Sequence, residues 1–306
     1  MIEKQPAISV IMSTYHEEGI FLRKAIESVL TQTFTDFEFL IAVDDPQNDG
    51  LIGILKEYAS RDQRVRVHIN KENMGLSASL NALLEEATGD YIARMDADDI
   101  SMPNRLEKQI AYMEKTQADM ISCDVDVIDE HDNTIQKMTN LPSTDAKIKK
   151  KLCINNCMPH PGWMVRAEVY HTLEGYRATP YCEDYEFLLR ARNYGYTLGN
   201  INEELIRYRM TNISISRSNL YRQYLAMKYC QSKYIKGQKW EWEEYLKTHF
   251  DEDEQTRYNK SANLFTEGLS ALRQHRLGSA FVCLWRAFWG SACYRDKMIK
   301  YLKQVL

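Results

Sequence analysis

Four polar segments of this 306-residue chain each come after a short apolar run: Ser13-Thr14-Tyr15, Asp44-Asp45, Asn73 and Asp96-Ala97-Asp98-Asp99. Carboxylates two apart, as in Asp96 and Asp98, share one side of the chain if it stays extended through both. Adjacent carboxylates repel, and a hard cation joined to them removes the penalty, so the pair suits Mg²⁺ or Mn²⁺ holding a diphosphate. On their own the same letters more often make a solvated acidic turn or a helix cap. Asp44-Asp45 can accept hydrogen bonds from a base or ribose while Tyr15 stacks on the base, or the segment DDPQNDG simply turns the chain. A second acidic pair, Glu183-Asp184, opens the helical pattern CEDYEFLLR. There it complements the helix dipole, or takes the proton from a hydroxyl within reach.

These residues need elements to hold them. Ile8–Met12, Glu38–Val43, Val65–Ile69 and Tyr91–Met95 read as strands, and Phe21, Leu22, Ala25, Ile26, Val29 and Leu30 recur at helical spacing between the first two. Leu76–Ala87 reads as a further helix. Strands alternating with helices predict a largely parallel, helix-covered α/β sheet, in which ligands bind beyond the carboxyl ends of the strands. Further on, the pattern predicts a helix with Pro103 in its first turn, a hairpin of Met120–Val127 with Ile135–Met138, a basic helix near Asp145–Leu152 and an extended run at Trp163–Arg166. From Leu220 it is helical to the end.

Composition narrows the class. With 44% hydrophobic and 27% charged residues the chain is an ordinary globular one. Its seven cysteines show no paired framework, and Cys153, Cys157, His160 and Cys182 are too loosely spaced for a zinc site, so a reduced, cytoplasmic setting is expected. The opening MIEKQPAISVIM reads as a first strand, not a secretory signal. Residues 257–306 carry nine Lys/Arg against two Asp/Glu, a balance of +7, which leaves residues 1–256 at −11. An acidic body argues against nucleic acid as a partner. There is no G-x-x-x-x-G-K-[ST], G-x-G-x-x-G or G-x-S-x-G.

Taken in order, SVIMSTY (9–15), SVLTQTFTDFEFLIAVDD (28–45), NMGLSASLN (73–81), GDYIARMDADDISMPNRLEKQ (89–109), MPHPGWMVR (158–166) and CEDYEFLLR (182–190) resemble the family 2 inverting glycosyltransferases of GT-A fold. The resemblance covers about the first 215 residues. It implies a Rossmann-like, mixed but mostly parallel sheet flanked by helices over 1–215, with a helical C-terminal region over 216–306. It also implies roles: Ser13, Tyr15, Asp44 and Asp45 at the base, usually uracil; Asn73 beside the nucleotide; Asp96 facing ribose or the metal shell; Asp98 as ligand to Mn²⁺ or Mg²⁺. Asp184 matches the catalytic base, and Glu183, His160 and Arg166 fall in segments near donor sugar and acceptor. The implied reaction moves a sugar from a nucleotide donor, most simply a UDP-sugar, to a hydroxyl of a glycan or lipid-linked acceptor in cell-surface polysaccharide synthesis. The chain departs from the family pattern at Pro46-Gln47-Asn48-Asp49, where many members have G-S-x-D, at His16, where Asn is usual, and at Thr211-Asn212, where a histidine is common.

Two other classes fit the acidic pairs. A nucleotidyltransferase would show a glycine-rich basic loop after the first strand, where Ser-Thr-Tyr-His-Glu-Glu stands instead, and a silent nucleotide-sugar-binding module has no need of both pairs. The basic, aromatic 257–306 segment either lies in the headgroup layer at the inner face of a membrane or packs its apolar stripe on the catalytic domain or on a second copy, as in a homodimer.

Overall fold

The computed structural model describes residues 5–210 and 219–305. Every residue of Phe37–Val43 is buried, as a strand covered on both faces must be, and its run FEFLIAV is correspondingly apolar almost throughout. It is β2 of a mixed sheet whose other strands are β1 (Ile8–Thr14), β3 (Val65–Ile69), β4 (Tyr91–Asp96), β5 (Ile100–Ser101), β6 (Met120–Ile128), β7 (Thr134–Met138), β8 (Met164–Arg166) and β9 (Leu198–Arg209). Their order is β3-β2-β1-β4-β8-β6-β9-β5, with β7 on β6. The first four run parallel, joined by α1 (Gly19–Leu30), α2 (Asp49–Arg61) and α3 (Leu76–Glu86). β8 is antiparallel to both β4 and β6, so the sheet changes direction beside β4.

Register sets the working edge. Ser13 lies opposite Asp96, Thr14 opposite Val43, and Val43 opposite Ile69. The carboxyl ends of four strands therefore form one line. β4 stops at Asp96, and a turn follows in which the Asp99 amide reaches back to the Asp96 carbonyl, so Asp98 leaves the strand and the alternation expected of extended chain does not place it.

Two buried arginines fix this turn. From α4 (Arg105–Thr116), Arg105 donates through Nη2 to the Arg94 and Trp163 carbonyls, at 2.7 and 3.1 Å, tying β4 to the segment before β8. Burial away from any carboxylate partner lowers its pKa to about 10. Arg209, at the end of β9, donates its amide to Asp99 Oδ1 at 2.7 Å and its Nε to the Asp98 carbonyl at 2.8 Å. Pro103 precedes α4 instead of entering its first turn, the N-cap position being Asn104. Among the elements that go beyond the sequence reading, α2 and β9 matter most here. The turn residues of DDPQND lead straight into α2, where Asn48 caps the Leu51 amide, and β9 supplies the longest strand of the sheet.

By its internal contacts the chain forms two units. One holds the sheet with α1–α4, α5 (Asp145–Leu152), α6 (Ala167–Leu173) and α7 (Glu183–Tyr194); the other joins Thr179–Cys182 to the helices from Leu220 onward. The 215/216 boundary expected from sequence lies outside the described residues. In the second unit Tyr258 is the centre of an aromatic core, its ring 5.4, 5.4 and 5.1 Å from those of Tyr221, Tyr224 and Tyr294.

Gly75, before α3, has φ 80° and ψ 162°, a conformation open essentially to glycine alone, and open space surrounds its missing Cβ. Gly75→Ala therefore isolates backbone strain. We expect a loss of about 1–3 kcal/mol in urea unfolding; an unchanged midpoint would show that the loop relaxes without cost.

Candidate active site

Asp44 is buried, and its carboxylate accepts hydrogen bonds from Asn70 Nδ2 at 2.7 Å, the Met74 amide at 2.8 Å and the Gly75 amide at 2.9 Å. It clamps the 73–75 loop to the end of β2, so the outward member of the pair is Asp45. Asp45 Oδ2 lies 3.0 Å from His16 Nε2, and the His16 ring stacks on Tyr15 at 3.9 Å between centroids. Tyr15 is 42% exposed. A flat ring pair bordered by a carboxylate is a surface on which a base can stack and hydrogen-bond. Ser13, beside Asp96 in the register, is partly buried, and Asn73 is exposed in the clamped loop. Asn70 was not singled out by sequence, although it too follows an apolar run directly; it bridges Asp44 and Ser79 Oγ at 2.7 and 2.8 Å.

At the end of β4 the decisive residue is Arg94. It is buried, shares the face of Asp96 two residues on, and forms an ion pair with it. Burial alone would lower its pKa, but the charge and hydrogen bond of Asp96 hold it above the ordinary arginine value. Its Nε and Nη1 have no hydrogen-bond partner among the described residues. The same charge acts on Asp98, Asp99, Glu183 and Asp184, lowering the pKa of each against larger opposing effects. Asp98 is pushed up to about 7 by burial and then by Asp96 and Glu17. Asp99 is raised by burial and its two aspartate neighbours, and its Oδ2 has no partner among the described residues.

Glu183 and Asp184 start α7. Burial first, then Asp184, pushes the Glu183 carboxyl up to about 7, with Asp96 adding to the rise. Burial also raises Asp184, against the Tyr185 amide and Asn156 Nδ2, which donate to its two oxygens at 2.6 and 2.7 Å. Asp184 is thus both oriented and able to hold a proton nearer neutral pH than a free aspartate.

Two expected residues are placed elsewhere. Arg166 lies opposite Tyr91, the first residue of β4, with its guanidinium over the Tyr91 ring at 5.3 Å and its Nε donating to the Ala118 carbonyl. Five residues separate Tyr91 from Asp96, so Arg166 stands about 16 Å toward the opposite edge of the sheet. The antiparallel run of β8 carries it away from the cluster. His160 is buried, its Nε2 2.8 Å from Tyr176 Oη and its ring edge-on to Trp163 at 4.4 Å. Burial, with help from Arg94, pushes its pKa well below the usual range, so it is a buried, neutral ring that feels the Arg94 charge. Thr211 and Asn212 lie outside the described residues.

Among the described residues no group of three or more His, Cys, Asp or Glu side chains is arranged to hold a metal. What the turn offers is the carboxyl of Asp98 near that of Asp96, the latter already paired with Arg94. That donor set fits a cation of the Mg²⁺ or Mn²⁺ kind, which takes one or two carboxylates and fills its remaining positions with phosphate and water.

The raised carboxyls fix the pH response. Asp98 and Glu183 keep protons in the folded state that the unfolded chain releases at its ordinary values of 3.8 and 4.5, so their contribution to stability falls as pH rises from there to about 7. Arg94→Met removes a cation that acts on both of them. We expect it to cost about 3–5 kcal/mol above pH 7 and less near pH 5, where carboxyls take up protons. Urea unfolding at both pH values measures this, and equal losses would reduce Arg94 to a packing residue.

The family model described as "Glycosyl transferase family 2" matches residues 9–173, more than half of the chain. An uncharacterized glycosyltransferase of Methanocaldococcus jannaschii is 35% identical over 236 residues, 77% of this chain and 81% of that one. The O-antigen biosynthesis glycosyltransferase WbnJ of Escherichia coli is 34% identical, covering 70% and 83% of the two chains. Among solved structures, S. aureus TarS 1-349 in complex with UDP-GlcNAc gives a TM-score of 0.60 over 93% of this chain and 92% of that one, at 14% identity. Mannosyltransferase PcManGT from Pyrobaculum calidifontis in complex with GDP-Man and Mn2+ gives 0.56 over 99% and 81%, at 15% identity. The last two share the fold. The match to the family model and the identity to these relatives show that the chain belongs to glycosyl transferase family 2.

Proposed function

We propose that the protein transfers a sugar, with inversion, from a nucleotide-diphosphate donor to a hydroxyl of a glycan or lipid-linked acceptor during polysaccharide synthesis. The observation that carries this reading is the pair of acidic motifs, one at the end of β4 and one at the start of α7, electrostatically joined through Arg94. In this reading Tyr15, His16 and Asp45 receive the base, Ser13 and the Asn73 loop border the nucleotide, and Asp96 and Asp98 face the diphosphate. A UDP-sugar is the proposed donor, supported by the fold shared with a UDP-GlcNAc complex.

Asp184, held by Asn156, accepts the proton of the acceptor hydroxyl as that oxygen attacks the anomeric carbon. The bond from that carbon to the diphosphate oxygen breaks in the same displacement, and the electron pair leaves with the nucleoside diphosphate. Bound Mn²⁺ or Mg²⁺, held by Asp98 with Asp96, would offset the charge gathering on the leaving group. Glu183, alongside, keeps a proton up to about pH 7 and so can donate a hydrogen bond to substrate.

Asp184→Asn is expected to keep donor affinity while lowering turnover by roughly 10²–10⁴-fold; near-normal turnover would remove Asp184 as the base. Asp98→Ala should weaken donor binding in Mn²⁺ and leave the metal-free affinity alone, and calorimetry showing equal affinity with Mn²⁺ would count against the ligand role. A panel of UDP-, GDP- and dTDP-sugars, hydrolysed with and without Mn²⁺, identifies the donor, and the absence of turnover on all of them would sink the reading.

A further inference from the structure

The helix Leu277–Gly290 is apolar on two faces. Ala280 and Ala287 are buried, and Leu284 packs so close to the preceding helix that a Cβ at Gly268 would meet it at 2.8 Å. That accounts for one face. On the other, Leu277, Phe281, Trp285 and Trp289 follow at intervals of four residues and are 69%, 67%, 57% and 57% exposed, with Val282 beside them. Four consecutive turns thus present one continuous ridge of large apolar side chains to solvent, which is more than scattered surface hydrophobics.

The charges around the ridge select its occupant. The helix itself has no acidic residue and carries Arg286; Arg273 and Arg276 stand before it, and Arg295 lies over the Trp289 ring at 5.2 Å. Asp296, one of the two acids in 257–306, is already engaged by Tyr224, Lys228 and Lys300. Two copies meeting through this ridge would bring two such cationic surfaces together. An anionic lipid surface is complementary on both counts, since Trp and Phe settle at the headgroup level while arginines stay among the phosphates. Among the described residues no helix is long and apolar enough to cross a membrane, so the fit is to a helix lying in the interface.

We propose that the exposed face of Leu277–Gly290 binds this protein to an anionic phospholipid surface. This narrows the 257–306 segment to one face of one helix, and it stands independently of the transfer chemistry; only its use, meeting a lipid-linked acceptor at the membrane, rests on the proposed function.

The test is flotation of the full chain with vesicles of phosphatidylcholine alone and of phosphatidylcholine with phosphatidylglycerol in equal parts. The wild-type chain should float with the anionic vesicles, with a blue shift of tryptophan emission, and stay behind with the neutral ones. The double variant W285S/W289S changes only exposed positions and should melt as the wild type does, hydrolyse donor at the same rate, and bind anionic vesicles roughly tenfold more weakly or less. R273E/R276E should lose binding most at low salt. Equal flotation of the wild type and W285S/W289S would overturn the proposal. So would failure of the wild type to float, or a wild-type dimer in sedimentation that W285S/W289S converts to monomers.

Discussion

The buried guanidinium of Arg94 acts on the carboxyls of Asp96, Asp98, Asp99, Glu183 and Asp184. Only Asp96 is bonded to it, and two of its nitrogens lack partners among the described residues. A buried charge half satisfied in this way costs stability, as do carboxyls crowded beside it. Burial first, and neighbouring carboxyls second, raise Asp98, Asp99 and Glu183 so that they take up protons. The cluster is a place where the fold gives up stability, which is the expected mark of a site arranged for a ligand.

Holding so poorly balanced a cluster requires rigid surroundings, and the other buried arginines supply them. Arg105 joins β4 to the segment before β8 through two carbonyls, and Arg209 ties the turn after β4 to β9 and, through Asp132 at 2.6 Å, to the β6–β7 hairpin. Asp44 does the corresponding work at the end of β2, fixing the loop before α3 with three donors. Each anchor is a backbone-directed hydrogen bond or a short ion pair inside the sheet's edge, so the site is positioned by strand ends and not by free loops.

Much of this was legible in the residues. Apolar runs followed by polar letters located the ends of β1, β2 and β4, because a buried parallel strand must be apolar and its exit must not be. What failed to show has physical reasons. Arg94, inside YIARM, looks like an interruption of a strand until its pairing with Asp96 is known. β9, LGNINEELIRYR, mixes polar and apolar residues because parts of it face solvent, which hides the longest strand. α2 starts within letters that favour turns. Arg166 and His160 sit in recognisable segments, yet strand direction and burial, which no local pattern encodes, put one toward the far edge and the other in the interior.

Under the proposed function, the same charge balance constrains how a nucleotide-sugar donor and its cation enter. A nucleoside diphosphate adds negative charge to a cluster that already holds protons to relieve its own repulsion, so by itself it would be opposed at neutral pH. Arg94 cannot offset it alone, since Asp96 engages it. Counter-charge must therefore arrive with the diphosphate, and the proton held near Asp98 must leave when it does. Donor and cation then bind interdependently, each favouring the state the other requires. In the proposed function Asp184, oriented at the start of α7 by its own hydrogen-bond donors, is the group that serves the acceptor.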